Sequence, residues 1–115
     1  MPIKNINAEE LRKLIENDQA EIIDVREPEE YKIIHIKSAK NIPMNELTDR
    51  LDEIDWSKQV IFHCRTGYRS KLIARVAESL GKEVANLKYG ILECYKTGGN
   101  DNLEVDEKLV GEYFD

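Results

Sequence analysis

Gln59-Val60-Ile61-Phe62-His63-Cys64-Arg65-Thr66-Gly67-Tyr68-Arg69-Ser70 joins two periodicities at one cysteine. Val60 to Phe62 is a short apolar run with β-branched residues, the pattern of a buried strand. Beyond Ser70, the residues Leu72, Ile73, Val76, Ala77 and Leu80 recur at helical spacing and are read as one helix face. Gly81 follows as a C-terminal stop. Cys64 therefore opens a tight loop between the end of a strand and the start of a helix.

That position favours an anionic sulfur. Free N–H groups at a helix N-terminus and the helix dipole both attract negative charge. Arg65 and Arg69 add formal positive charge, and such surroundings lower a thiol pKa and favour the reactive thiolate. Gly67 permits a positive-φ turn in which successive N–H groups point inward as an anion nest. A buried structural cysteine beside two solvated arginines would use the same residue types. The combination of cysteine, glycine, two arginines and strand-to-helix context favours a reactive site.

Working outward, the rest of the chain alternates strand and helix. Ile3 to Ile6 reads as a first strand, with Asn7 and Glu10 as a capping box for a helix bearing Leu11, Leu14 and Ile15. Glu21 to Val25 reads as a buried strand, and Glu27-Pro28-Glu29-Glu30 as a helix start. Lys40 to Ile42 is a short strand ending at Pro43. Leu47, Leu51 and Ile54 predict another amphipathic helix. Glu83 to Leu87 is read as the last strand, Gly90 to Lys96 as a short helix, and residues 98–101 as a turn. From Leu103 to Phe114 the periodicity is mixed, and a docked C-terminal helix is the reading adopted. Alternation of this kind predicts a parallel sheet with helices on both faces and right-handed crossovers. Ligands of such sheets bind beyond the carboxyl ends of the strands, where Cys64 and Arg26 both fall.

Composition bounds the function. The 115 residues suffice for one domain, and 41% hydrophobic with 35% charged residues is a soluble globular composition. A net charge of −6 does not suggest a nucleic-acid or anionic-membrane partner. The sequence holds no apolar run long enough for a transmembrane helix, and Met1 to Lys4 lack the pattern of a signal peptide. Cys64 and Cys94 do not form a disulfide framework, so a reducing cytoplasm is expected. The two histidines and two cysteines lack metal-ligand spacing. His63, preceding Cys64 on a strand, should point away from it and pack, with a Cys-His dyad as the alternative. Cys94 is either a core thiol or a resolving cysteine. Glu27 and Glu30 are read as helix-start acids only.

Cys64-Arg65-Thr66-Gly67-Tyr68-Arg69-Ser70 resembles the active-site loop of rhodanese-like sulfurtransferase domains. Asp24-Val25-Arg26-Glu27 with Glu30-Tyr31, and His35-Ile36 through Ala39, Asn41, Ile42 and Pro43, resemble that family's early signature. Leu87, Gly90 and Ile91 resemble its late one. Ser38 departs from the family's usual glycine, and Cys94 stands where an aromatic residue is common. The resemblance implies a three-layer α/β/α fold with a five-stranded parallel sheet in the order 3-2-4-5-1. It spans residues 1–99, leaving residues 100–115 as an extension expected to pack on the same domain. It implies that Cys64 is the catalytic nucleophile, forming a persulfide with a thiosulfate-like anionic donor and passing the sulfur to a thiol or cyanide. Backbone N–H groups of Arg65, Thr66, Gly67, Tyr68, Arg69 and Ser70 would bind the substrate, with Arg65 and Arg69 attracting the anion. Asp24 and Arg26 would form a buried pair bracing the loop, with an ordinary ion pair or direct substrate contact as the alternatives. His35 would hold the following turn. No metal or organic cofactor is implied, and a sulfur-relay protein is a candidate partner. A carrier module with little turnover of its own is the alternative function. A small Cys-loop phosphatase or arsenate reductase fits less well. Those enzymes place one more residue between cysteine and arginine than separates Cys64 from Arg69, which leaves Ser70 at the arginine position.

Overall fold

The computed structural model describes residues 3–98 and 100–115. Five strands form one parallel sheet: β1 (Lys4–Ile6), β2 (Ala20–Asp24), β4 (Lys40–Asn41), β5 (Gln59–His63) and β6 (Ala85–Leu87). Their spatial order is β1-β6-β5-β2-β4. Counted among themselves and read from the β4 edge, this is 3-2-4-5-1, the order the resemblance implies. Gly99, inside the expected turn at residues 98–101, lies outside the described residues, as do Met1 and Pro2.

The sheet is buried on both faces, as a parallel sheet requires. Alternation along the strands divides the core. Ile22 and Ile61 face one side, where they meet Leu11 of α1 (Ala8–Glu16), Ile91 of α4 (Gly90–Lys96) and Val110 of α5 (Val110–Phe114). Ile23, Val60 and Phe62 face the other, against Ile73, Ala74 and Ala77 of α3 (Tyr68–Ser79) and Leu47 and Ile54. Asn7 caps α1 reciprocally with Glu10, and Glu27 and Glu30 make the same box on α2 (Pro28–Ile33).

Three expectations are corrected. Residues around Leu47 and Leu51 form two 3-10 turns, Met44–Asp49 and Leu51–Glu53, rather than one amphipathic helix. Asn45, Thr48, Asp49 and Asp52 are weak helix formers, and the tighter helix covers more length per residue. Glu83 to Leu87 does not hold the last strand. Leu103–Val105 is a seventh strand, β7, paired antiparallel with β3 (Ile34–Ile36) in a separate ribbon. Ile34 and Ile36 of this ribbon are fully buried in the core. The short C-terminal helix α5 follows it.

The third correction concerns α3. Its core face is Ser70, Ile73, Ala74 and Ala77, whereas Leu72, Val76 and Leu80 are exposed. Small side chains let α3 lie close on the sheet, and the larger aliphatic residues fall on the outer side. No described helix is long and apolar enough to cross a membrane.

Ile73→Ala should lower the unfolding free energy by about 2–4 kcal/mol, whereas Leu72→Ala should stay within about 0.5 kcal/mol. Urea denaturation of the two variants checks this. Equal losses would place Leu72 in the core.

Candidate active site

The central strand β5 ends at His63, and Cys64 follows it at the carboxyl edge of the sheet. The Cys64 side chain is buried, with Sγ facing the start of α3. Gly67 N–H donates to Sγ at 3.1 Å, and Ser70 N–H and Oγ lie 3.5 Å from it. These donors converge because Gly67 takes φ +100°. A Cβ there would sit 2.0 Å from the Lys88 carbonyl oxygen.

The outward carbonyls of the loop are also matched. Cys64 C=O accepts from Ile91 N–H at 3.0 Å, and Arg65 C=O from Leu92 N–H at 3.1 Å. These donors belong to the first turn of α4, where helix N–H groups lack internal partners. Gly90 makes the approach possible, since a Cβ on it would stand 2.3 Å from the Arg65 carbonyl oxygen.

Ser70 has one hydroxyl proton. Asn86 Oδ1 takes it at 2.5 Å, and Asn86 Nδ2 donates in turn to Asn5 Oδ1 at 3.1 Å. The serine is thus anchored to β6 with its oxygen beside the sulfur. Asn86 was not anticipated from sequence. Its signal was a polar residue between Ala85 and Leu87 in a fully buried strand.

Asp24 and Arg26 form a fully buried ion pair through Arg26 Nε to Oδ1 at 2.9 Å and Nη2 to Oδ2 at 2.6 Å. Burial works against the Asp24 carboxylate, but His63 and the Arg26 hydrogen bonds outweigh it and hold its pKa below the usual value. His63 lies across from Asp24 in the strand register, and its Nε2 is 3.6 Å from Asp24 Oδ2 without a hydrogen bond. Burial lowers the His63 pKa, with Asp24 opposing. Strand alternation sends the His63 side chain to the face opposite Cys64.

Arg26 Nη1 also reaches the Tyr113 hydroxyl at 3.0 Å. That hydroxyl donates to Glu30 Oε2 at 2.6 Å, and Glu30 receives both Arg69 Nη atoms at 2.7 and 2.8 Å. Glu30 is therefore more than a helix-start acid. Burial opposes its ionisation, but Arg69 and Tyr113 prevail and bring its pKa down to about 2. Burial and then the Glu30 carboxylate push the Tyr113 phenol up to about 12. The Glu30 hydrogen bonds raise the Arg69 pKa further. Arg65 Nε donates to the Tyr113 carbonyl at 3.2 Å, and its guanidinium lies over the Tyr113 and Phe114 rings. Both loop arginines are thus tied to the C-terminal helix or its partner acid.

His35 Nδ1 pairs with the Tyr31 carbonyl at 2.8 Å, and the two rings stack. Tyr31 Oη donates to the Ala39 carbonyl across the turn containing Ser38. Asp18 alone among the described non-glycine residues has positive φ, so this turn does not require a glycine at Ser38. Cys94 is packed in the core cluster on the side of the sheet opposite Cys64, and burial pushes its thiol up to about 11. Among the described residues, no group of three or more His, Cys, Asp or Glu could hold a metal ion.

The Glu30 shift has a defined sign. Its folded pKa is depressed from 4.5 to about 2, so the stabilisation is complete above about 4.5 and disappears as pH falls through about 2. Urea midpoints of the wild type should decline across that window, and those of Glu30→Gln should decline less. Parallel curves would show that the carboxylate is not coupled to folding.

The Rhodanese-like domain family profile matches residues 7–97. The chain is 37% identical over 108 residues to an HTH-type transcriptional regulator of Mycobacterium tuberculosis, covering 92% of this chain and 46% of the regulator. It thus spans about half the length of that relative. It is 28% identical over 118 residues to a thiosulfate:glutathione sulfurtransferase of Saccharomyces cerevisiae, covering 90% of this chain and 85% of the enzyme. A crystal structure of a rhodanese-like domain protein from Staphylococcus aureus superposes with a TM-score of 0.77 and 28% identity, covering 90% of this chain and 99% of that one. With the profile covering most of its length and the same fold in solved relatives, this chain belongs to the rhodanese-like domain family.

Proposed function

We propose that the protein is a sulfurtransferase that moves a sulfane sulfur from a thiosulfate-like donor to a nucleophilic acceptor through a persulfide on Cys64. The observation that carries this reading is the convergence of the Gly67 and Ser70 N–H groups on Cys64 Sγ, with Ser70 Oγ held beside it. The Cys64 thiolate attacks the outer sulfur of thiosulfate. A sulfur–sulfur bond to Cys64 forms as the donor's own breaks, and sulfite leaves with the electron pair. An acceptor such as cyanide or a thiolate then attacks the outer sulfur, and Cys64 departs as the thiolate. The two half-reactions give ping-pong kinetics. Loop N–H groups from Arg65 to Ser70 stabilise the anionic sulfur throughout.

The other groups are assigned by their surroundings. Asp24 and Arg26 brace the loop through Tyr113 and Glu30. Arg65 and Arg69 draw the anionic donor with the part of their field that the neighbouring groups leave. His63 is not the base, because it is buried across the sheet from Cys64. Cys94 takes no part, since its raised pKa and core position disfavour a thiolate. The chemistry is complete with donor, cysteine and acceptor. A reducing cytoplasm would keep Cys64 usable. A carrier role would employ the same persulfide and differ only in turnover.

Incubation with thiosulfate should add the mass of one sulfur, with thiocyanate forming once cyanide is supplied. Cys64→Ser should lose both signals and Cys94→Ser should keep both, without hydrolysis of aryl phosphate by either parent or variant. Transfer lost in a folded Cys94→Ser protein would require a two-cysteine mechanism instead.

Charge at the loop mouth provides a second check. Glu30→Gln removes the anion paired with Arg69 and should lower KM for thiosulfate several-fold. Arg69→Ala should raise it. A partly buried guanidinium is less screened than a surface one, so the effect should persist at moderate salt. Unchanged KM in both variants would leave donor binding to the backbone dipoles alone.

A further inference from the structure

The outer side of α3 carries a line of apolar residues that nothing in the fold covers. Tyr68 is 73% exposed, Leu72 38% and Val76 42%. Their i, i+4, i+8 spacing places them in one row running away from the Cys64 loop. Tyr89, 49% exposed, extends the row past the loop on the other side. It is continuous with the loop because the Lys88 carbonyl oxygen lies where a Cβ on Gly67 would be. Single exposed apolar residues are ordinary, but a contiguous row beside a reactive group marks a contact surface.

The rim of this row is basic. Lys71 and Arg75 form the adjacent i, i+4 line on α3, and Lys88 stands beside Tyr89 with Nζ 5.3 Å from its ring centroid. All three are exposed, and none is in an ion pair among the described residues. Meanwhile the net charge of the chain is −6. An acidic body approaching this protein is repelled except where such a cluster receives it. A second copy does not fit, because a self-complementary contact would set these cations against themselves. Leu72 and Val76 give nothing for a base to stack on, which disfavours single-stranded RNA.

We propose that this face docks an acidic partner protein that accepts sulfur from Cys64, its apolar patch lying on Tyr68, Leu72, Val76 and Tyr89 and its carboxylates on Lys71, Arg75 and Lys88. The proposal rests on the persulfide reading of Cys64. The partner's thiolate attacks the outer sulfur of the Cys64 persulfide. A new sulfur–sulfur bond forms on the partner, the bond to Cys64 breaks, and Cys64 Sγ leaves with the electron pair. The sulfane sulfur keeps its oxidation state, and no further reductant enters.

The test loads the full chain with thiosulfate and follows single-turnover transfer to three acceptors. These are cyanide and two synthetic peptides with one cysteine between leucines, flanked by glutamates in one and by lysines in the other. Electrostatic steering predicts that Lys71→Glu/Arg75→Glu slows transfer to the acidic peptide about tenfold at low salt and speeds transfer to the basic one. High salt should remove both effects. Leu72→Ser/Val76→Ser should slow transfer to the acidic peptide at any salt concentration. Cyanide should discharge wild type and both variants at one rate. If the variants match wild type toward both peptides while cyanide works, the docking surface is wrong and the sulfurtransferase reading stands. If cyanide removes no sulfur from the wild type, that reading falls and this one with it. Slowing of the acidic-peptide reaction by a short uridine oligonucleotide or phosphatidylserine vesicles, with no dependence on Leu72 and Val76, would assign the face to nucleic acid or membrane instead.

Discussion

A loop can turn its N–H groups toward one atom only if the opposing carbonyls find donors elsewhere. That constraint organises this protein. Cys64 and Arg65 point their carbonyls at Ile91 and Leu92, whose N–H groups are unpaired because they open a helix. The helix α4 has only seven residues, and it supplies the first-turn donors that hold the loop's back. The helix approaches so closely that Gly90 has no room for a side chain, and the carbonyls of Leu87 and Lys88 just before it leave none at Gly67. Two elements far apart in sequence thus fix the geometry of one sulfur, and the sheet between them sets their spacing.

The second support is ionic and runs along the carboxyl edge of the sheet. An isolated buried ion pair such as Asp24–Arg26 is a poor source of stability, because desolvation offsets most of its attraction. Its value here is positional. Arg26 has hydrogen-bonding capacity beyond Asp24, and part of it goes to Tyr113, which passes the connection to Glu30 and Arg69. Breaking the Asp24–Arg26 or the Glu30–Arg69 link leaves a charge without its partner. The connection also draws in the C-terminal helix, which lies beyond the residues matched by the family profile.

The Cys64 loop, the alternation of most strands and helices and the Asn7–Glu10 capping box were legible because each depends on neighbours a few residues away. Gly67, Asn7 and Pro28 announce their conformations locally. What escaped depends on distant partners. Glu30 reads as a helix-start acid until the fold brings Arg69 and Tyr113 to it. Asn86 reads as a strand residue until Ser70 meets it. The face of α3 was misread because Leu72 and Val76 are more apolar than Ser70 and Ala74, yet closeness to the sheet selects small side chains. The β3–β7 ribbon was hidden because three-residue strands carry almost no periodicity. The strand order came from resemblance, since hydropathy cannot rank strands within a sheet.

These supports leave the sulfur nearly enclosed, with Cys64 only 1% exposed. A persulfide extends the side chain by one bond of about 2 Å. The inner sulfur would remain within the donor ring while the outer one approached the rim. An acceptor must come within bonding distance of that outer atom along the line of the breaking bond, so the direction of approach is set by the backbone. On the proposed sulfurtransferase reading, an acceptor as small as cyanide would meet little of the rim. A thiol on a larger body would meet more of it, and its rate would depend on what the surrounding surface offers. If Cys64 carries the sulfur, its enclosure would therefore move the choice of acceptor from the loop to the face around it.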